Sequence, residues 1–451
     1  MTRTWIKQPL GIWTGGLEKQ RASDGLVVED NRIVELVAAG VTPEHDAVFD
    51  ASEHVVLPGL INTHHHMYQT LTRAMPTAID KELFAWLKAL YPVWAGLTPT
   101  MIRASSTLAM AELLLSGCTT TTDHHYVFPC GHEHAIDTQV EVAASLGMRV
   151  VLTRGSMSLS VEDGGLPPKS VVQDEDAILA DSQRLIDRYH DADPLAMTQI
   201  ALAPCSPFSV TKRLMSESAS MAKQHGVLLH THLAESLDEN DFCEQTMGCR
   251  PLQYVEDCGW GETRAWYAHG VHFDEAEWQR MAASGAGVSS CSHSNMHLAS
   301  GICPVCEMEA QGVAVGLGVD GSASNDHSNM IQEVRQAFLL QRLKYGSANV
   351  GYQDALRWAT AGSANLLGRD KLGRIQVGAA ADLALFKLDE PRFAGAEDPV
   401  AALVLCGATR ADAVMVNGEW RVQEGELVDA DLGTIMAEQN KAASELRAKL
   451  R

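Results

Sequence analysis

Along the first sixty residues, short apolar runs alternate with tight polar turns. Residues 25–29 (GLVVE), the turn Asp30-Asn-Arg and residues 33–37 (IVELV) predict a β-hairpin. From about Val55 to about Gly368 the pattern changes to short apolar strands separated by longer helical stretches. The strands include 148–153 (MRVVLT), 199–203 (QIALA), 227–232 (VLLHTH), 265–269 (AWYAH) and 313–320 (VAVGLGVD). Between them, 98–115 opens on a Thr-Pro start signal and stops at Gly117, and 274–284 is a second helix. Alternation of this kind over so long a stretch predicts a parallel sheet. After about Gly373 strands return, with 381–386 (ADLALF) and a hairpin around Asn417-Gly418, a pair suited to a two-residue turn.

Both ends are therefore β-rich, and the expected architecture is α/β: a distorted (β/α)8 barrel with a small β-sandwich built from the two chain ends. The expected division is residues 1–57 for the first part of the sandwich, 58–370 for the barrel, 371–430 for the second part and 431–451 for a terminal helix. Closure into a barrel is favoured because polar residues collect at the C-terminal ends of successive strands, where barrel sites lie. The 451 residues, 46% of them hydrophobic, suffice for a large buried core. A formal charge of −22 repels polyanions, which argues against nucleic acid or an anionic membrane surface as partner. No apolar run reaches the length of a membrane span. Ten cysteines without a dense framework, and a start without a signal-peptide pattern, point to reduced thiols and a cytoplasmic protein. The lone Cys303-Pro-Val-Cys306 has no second pair to close a zinc site.

Chemistry concentrates in four places. In 57–66 (LPGLINTHHH), residues two apart share a face, so His64 and His66 aim at one point while His65 aims elsewhere. The strand 227–232 delivers His230 and His232, with Glu235 three residues beyond. Periodicity leaves open which of the two binds metal, and a deeper packing role is expected for His230. A carboxylate at the Glu235 position suits proton transfer beside a metal-activated water. His269 and Asp320 end two further apolar strands. Each alone reads as a cap or a solvated loop residue, but in this order they form one series.

Pro58-Gly59, His64-x-His66, His232-x-x-Glu235, His269 and Asp320 resemble the cytosine deaminase-like branch of the amidohydrolase superfamily. The tail 373–383 (GRIQVGAAADL) is similar to that family's return to its second β-domain. The resemblance implies that His64, His66, His232 and Asp320 bind one divalent metal, zinc first and iron as the alternative. Glu235, His269 and Asp320 would then be the catalytic proton-transfer residues. No strand-end lysine between His66 and His232 suggests the bridge of binuclear members. Further stretches, 64–73, 122–126, 203–208, 292–296 and 320–326, resemble the bacterial 8-oxoguanine deaminases, near the s-triazine hydrolases. That implies hydrolysis of 8-oxoguanine to uric acid and ammonia, a purine-catabolic reaction, with isocytosine as a lesser substrate. Guanine or triazine aminohydrolysis is the alternative, and a metal-free, non-catalytic barrel is a third reading. The expected partners are a small heterocyclic base and water, in a homo-oligomer. Substrate contacts are expected from Gln69, Cys205, His124 and His125, against the plainer readings of a helix cap, a small core residue and packing histidines. Phe84, Trp86 and Trp94 fall in a segment read as irregular, either covering the substrate ring or, the favoured reading, serving as simple core aromatics.

Overall fold

The computed structural model describes residues 2–16, 23–129 and 132–450. Eight parallel strands form one sheet in chain order: β1 (Leu60–Asn62), β2 (Cys118–His125), β3 (Arg149–Ser156), β4 (Thr198–Pro204), β5 (Leu229–Leu233), β6 (Ala265–His269), β7 (Gly287–Ser290) and β8 (Ala314–Leu317). The ends meet where Thr63 donates its N–H to Leu317 O at 2.9 Å and Val319 donates to Asn62 Oδ1 at 2.9 Å. This closed sheet with its helices is the expected (β/α)8 barrel, and every C-terminal strand end opens on the same face.

Between β1 and β2 lie helices α1 (Leu83–Trp94) and α2 (Pro99–Leu115). For α2, the Thr98 side chain accepts from Met101 N–H and Pro99 fills the first turn, the start signal legible in the sequence. The segment around Phe84, Trp86 and Trp94, read as irregular, is instead helix α1. Pro92 sits in its last turn, where the missing N–H breaks only one hydrogen bond.

The chain ends meet in a sandwich. His54–Pro58 pairs antiparallel with Leu383–Lys387 inside a six-stranded sheet, facing a four-stranded sheet of Arg32–Val37, Gly25–Glu29, Arg3–Lys7 and Ala47–Asp50. Period-two alternation settles both faces of the larger sheet: Val56, Leu383 and Leu385 pack toward Ile6, Leu26 and Ile33, while Val55, Leu57, Ala384 and Phe386 join the barrel core. In the hairpin 413–423, Asn417 and Gly418 both take positive φ, 54° and 83°, as a mirror-image two-residue turn requires. Of the ten cysteines, Cys130 lies outside the described residues and the other nine are free, Cys303 and Cys306 among them. Among the described residues, no helix is long and apolar enough to cross a membrane.

One buried ion pair bolts sandwich to barrel. Arg149, the first residue of β3, meets Asp382 at 3.0 and 3.1 Å, and both side chains are almost wholly buried. Asp382 Oδ1 also accepts Asn417 N–H, and Arg149 donates to Ala196 O. Replacing Arg149 by Met leaves a buried carboxylate unpaired, which costs about 3–5 kcal/mol. Urea denaturation of Arg149→Met is expected to show that loss, and Arg149→Met/Asp382→Leu to recover a large part of it.

Candidate active site

Backbone carbonyls of neighbouring strands aim the histidines. His64 and His66 lie just beyond the end of β1, and the alternation expected for a strand persists: His65 turns away to bond Ser328 Oγ at 2.9 Å. His66 Nδ1 donates to His124 O at 2.7 Å, and His232 Nδ1 to Cys205 O at 2.7 Å. A carbonyl only accepts, so both rings carry their proton on Nδ1 and turn a lone pair inward on Nε2. His230 donates from Nδ1 to Trp266 O at 2.8 Å, which leaves its Nε2 to accept from His64 Nδ1 at 2.8 Å. The proton relay from β6 to His64 therefore leaves His64 Nε2 bare as well. His230 is thus placed beneath His64, the deeper packing position expected for it.

These inward atoms converge. His66 Nε2 and His232 Nε2 are 3.0 Å apart, and Asp320 Oδ1 is 3.2 Å from the Nε2 atoms of both His64 and His66. His64 Nε2 is buried with no hydrogen-bond donor. Burial holds His64 and His232 well below the usual imidazole range, so they stay neutral. The result is a cluster of lone pairs and a carboxylate oxygen with no proton between them. Left alone it repels itself, and the donor set fits a divalent cation: three imidazoles and a carboxylate suit zinc or iron. Two neighbouring groups fit less well. In His64, His124 and His230 the second and third rings have their Nε2 atoms committed to Ala203 O and to His64, and in His124, Cys205 and His232 burial pushes the thiol up to about 12.

Around the cluster, three strand ends carry left-handed backbone at residues with side chains: Ala234 (φ 54°), His269 (φ 72°) and Asp320 (φ 61°). Each costs about 1–3 kcal/mol and is held by its burial. The turn at Ala234 brings Glu235 back over the barrel mouth, where its N–H bonds Glu239 Oε2. His269 Nδ1 donates to Asn295 Oδ1 at 2.9 Å, leaving Nε2 3.4 Å from Glu235 Oε2 and 3.9 Å from Asp320 Oδ2. The two oxygens of Asp320 differ: Oδ1 faces the imidazoles and accepts Gly321 N–H, and Oδ2 accepts from Ser294 Oγ at 2.6 Å. Burial first, then the Asp320 charge, push Glu235 up to about 8, so it keeps its proton at neutral pH.

A cavity lies over these groups, lined in part by His66, His232, Glu235, His269 and Asp320. Gln69 and Cys205 are in its wall. Gln69 Oε1 lies against Gly321, where any side chain would collide with it, and its Nε2 has no protein partner among the described residues. His124 and His125 are not in that wall: His124 bonds Ala203 O and stacks under His232 at 4.7 Å, and His125 packs against Phe128 at 4.9 Å. On an all-buried strand both rings point into the core, which a polar pair of letters hides. Trp86, read as core, is in the wall, while Trp94 and Phe84 are outside it. Missed from sequence were Leu83, Leu87 and Tyr91; their helical spacing on one face of α1 was the available signal.

If the His230 relay sets the tautomer of His64, its loss weakens the metal site without removing a donor. His230→Leu is expected to lower metal affinity by about 10–100-fold, measured by competition with a chromogenic chelator.

Comparison with known proteins agrees with this arrangement. The amidohydrolase family profile matches residues 55–421. The chain is 58% identical over 451 residues to an 8-oxoguanine deaminase of Pseudomonas aeruginosa, covering 99% of this chain and 100% of that one. It is 34% identical to an isoxanthopterin deaminase from an unknown prokaryotic organism, covering 98% and 97%. Among solved structures, an atrazine chlorohydrolase from Arthrobacter aurescens complexed with zinc superposes with a TM-score of 0.90 at 30% identity, covering 98% of this chain and 100% of that one. A profile match through barrel and sandwich, full-length relatives and the convergence of histidines and aspartate at the strand ends have one explanation: this chain belongs to the amidohydrolase family.

Proposed function

We propose that the protein hydrolyses the 2-amino group of 8-oxoguanine, giving uric acid and ammonia, and accepts isocytosine through the same amino-pyrimidinone edge. The observation that carries this reading is the 58% identity to an 8-oxoguanine deaminase over the whole chain, and the cluster of histidines and carboxyl groups lining one cavity supports it. The triazine-hydrolase likeness is more distant and supports the scaffold more than the substrate.

His64, His66, His232 and Asp320 would hold one divalent cation, zinc by preference, and when bound it supplies the acidity that makes water a nucleophile near pH 7. Asp320 Oδ2, turned away from the imidazoles, takes the attacking water's proton. His269 Nε2, between Asp320 and Glu235, passes protons from one carboxylate to the other. Glu235 enters protonated and gives its proton to the ring nitrogen beside the amino-bearing carbon, which makes that carbon electrophilic. Water's oxygen bonds to the carbon, the C–N bond breaks, the nitrogen leaves as ammonia with the relayed proton, and the new hydroxyl loses its proton back to Glu235 as the carbonyl forms. Gln69 Nε2 stands ready to donate to a carbonyl of the pyrimidinone edge. Leu83, Trp86, Leu87 and Phe208 give the wall a largely apolar face that limits competing water around a bound ring.

Steady-state ammonia release from 8-oxoguanine, guanine, isocytosine and hydroxyatrazine tests the substrate. The highest kcat/KM is expected on 8-oxoguanine, and a best rate on the triazine would overturn the reading. Glu235→Gln is expected to retain its metal by elemental analysis yet lose at least ~10²-fold in kcat; near-normal turnover would remove the glutamate from the proton path.

A further inference from the structure

The wall of the cavity facing the cluster is one side of α1, where Leu83, Trp86, Leu87 and Tyr91 follow at helical spacing. Three of these offer only apolar or ring surface to a ligand: the Trp86 indole N–H is already bonded to Ala323 O at 3.2 Å. Tyr91 differs. Its side chain is 1% exposed, and its hydroxyl has no protein partner among the described residues. Burial pushes its pKa well above the usual phenol value, so the hydroxyl keeps its hydrogen and remains a donor. A buried donor without a partner costs about 1–3 kcal/mol, and in a ligand cavity such a cost points to a ligand acceptor.

Of the other polar groups of the wall, Tyr126 packs its ring edge-on against His66 at 5.1 Å and Cys205 Sγ lies 3.8 Å from His232 Nδ1, so both stand beside the cluster. Glu235, His269 and Asp320 belong to proton transfer, and Ser324 Oγ bonds Gly321 O and Ser294. Gln69, whose Oε1 lies against Gly321 next to Asp320, sits at that same end and matches the pyrimidinone edge. An 8-oxopurine has one further strong acceptor, the carbonyl of its imidazolone ring, and Tyr91 is a wall residue whose buried hydroxyl lacks a partner among the described residues. We propose that the Tyr91 hydroxyl donates to that carbonyl and so determines specificity for a two-ring oxidised base over a single-ring one. The assignment rests on the reading of the substrate as an 8-oxoguanine-type base.

The test compares kcat/KM for 8-oxoguanine and isocytosine in wild type and Tyr91→Phe, with a thermal melt of each protein. Phenylalanine removes only the hydroxyl oxygen, so the melting temperature is expected to be no lower than wild type. The 8-oxoguanine value is expected to fall about tenfold, the worth of one neutral hydrogen bond. Isocytosine, which lacks the second ring, is expected to stay within about twofold. Equal losses on both bases would assign Tyr91 to packing, and no loss on either would leave its hydroxyl without a role; each overturns the proposal. Wild-type protein releasing ammonia from neither base would overturn the substrate reading itself, a result visible before any variant is made.

Discussion

A backbone carbonyl cannot donate a hydrogen bond, and the active site follows from that fact. His66 and His232 each give their Nδ1 proton to a carbonyl, of His124 and Cys205, and His64 is fixed at one remove through His230 and Trp266 O. The parallel sheet supplies these acceptors in register, because each strand end presents its carbonyls beside the next strand's side chains. The ring orientations are consequently properties of the barrel, and three lone pairs face inward whatever the loops do. Burial keeps protons off His64 and His232, and in the proposed reading a cation offsets the electrostatic cost of gathering these lone pairs.

The same geometry separates the carboxyl groups by role. Asp320 is split, one oxygen toward the imidazoles and the other toward Ser294 and His269, while Glu235 sits in a drier position and holds its proton. In the proposed mechanism these two acids carry opposite assignments, one accepting and one donating, and His269 lies between them. The left-handed backbone at Ala234, His269 and Asp320 is the strain stored to hold this arrangement. The sandwich contributes at a distance: Asp382, held by Arg149, ties its central strand to the foot of β3.

Strand periodicity and the order of His64, His66, His232, Glu235, His269 and Asp320 made the barrel and its donor cluster legible in the sequence, since both depend on spacing along single elements. The Asn417-Gly418 hairpin and the Thr98 cap were legible because turn and cap chemistry are local. Helix α1 was not, because Pro92 and the crowded aromatics disguise a helix that packing stabilises. For His124 and His125 the letters carry no trace of depth: on a strand buried at every position, a polar residue says nothing about whether it meets a cavity or the core. Tyr91 was invisible for the converse reason, an aromatic buried like its neighbours whose hydroxyl finds no partner among the described residues.

The most direct test strips the protein with a chelator and titrates zinc back while following ammonia release from 8-oxoguanine. Activity is predicted to be absent at the start, to rise in proportion to added metal, and to level off at about one equivalent per chain. Full activity in the metal-free protein would contradict the account.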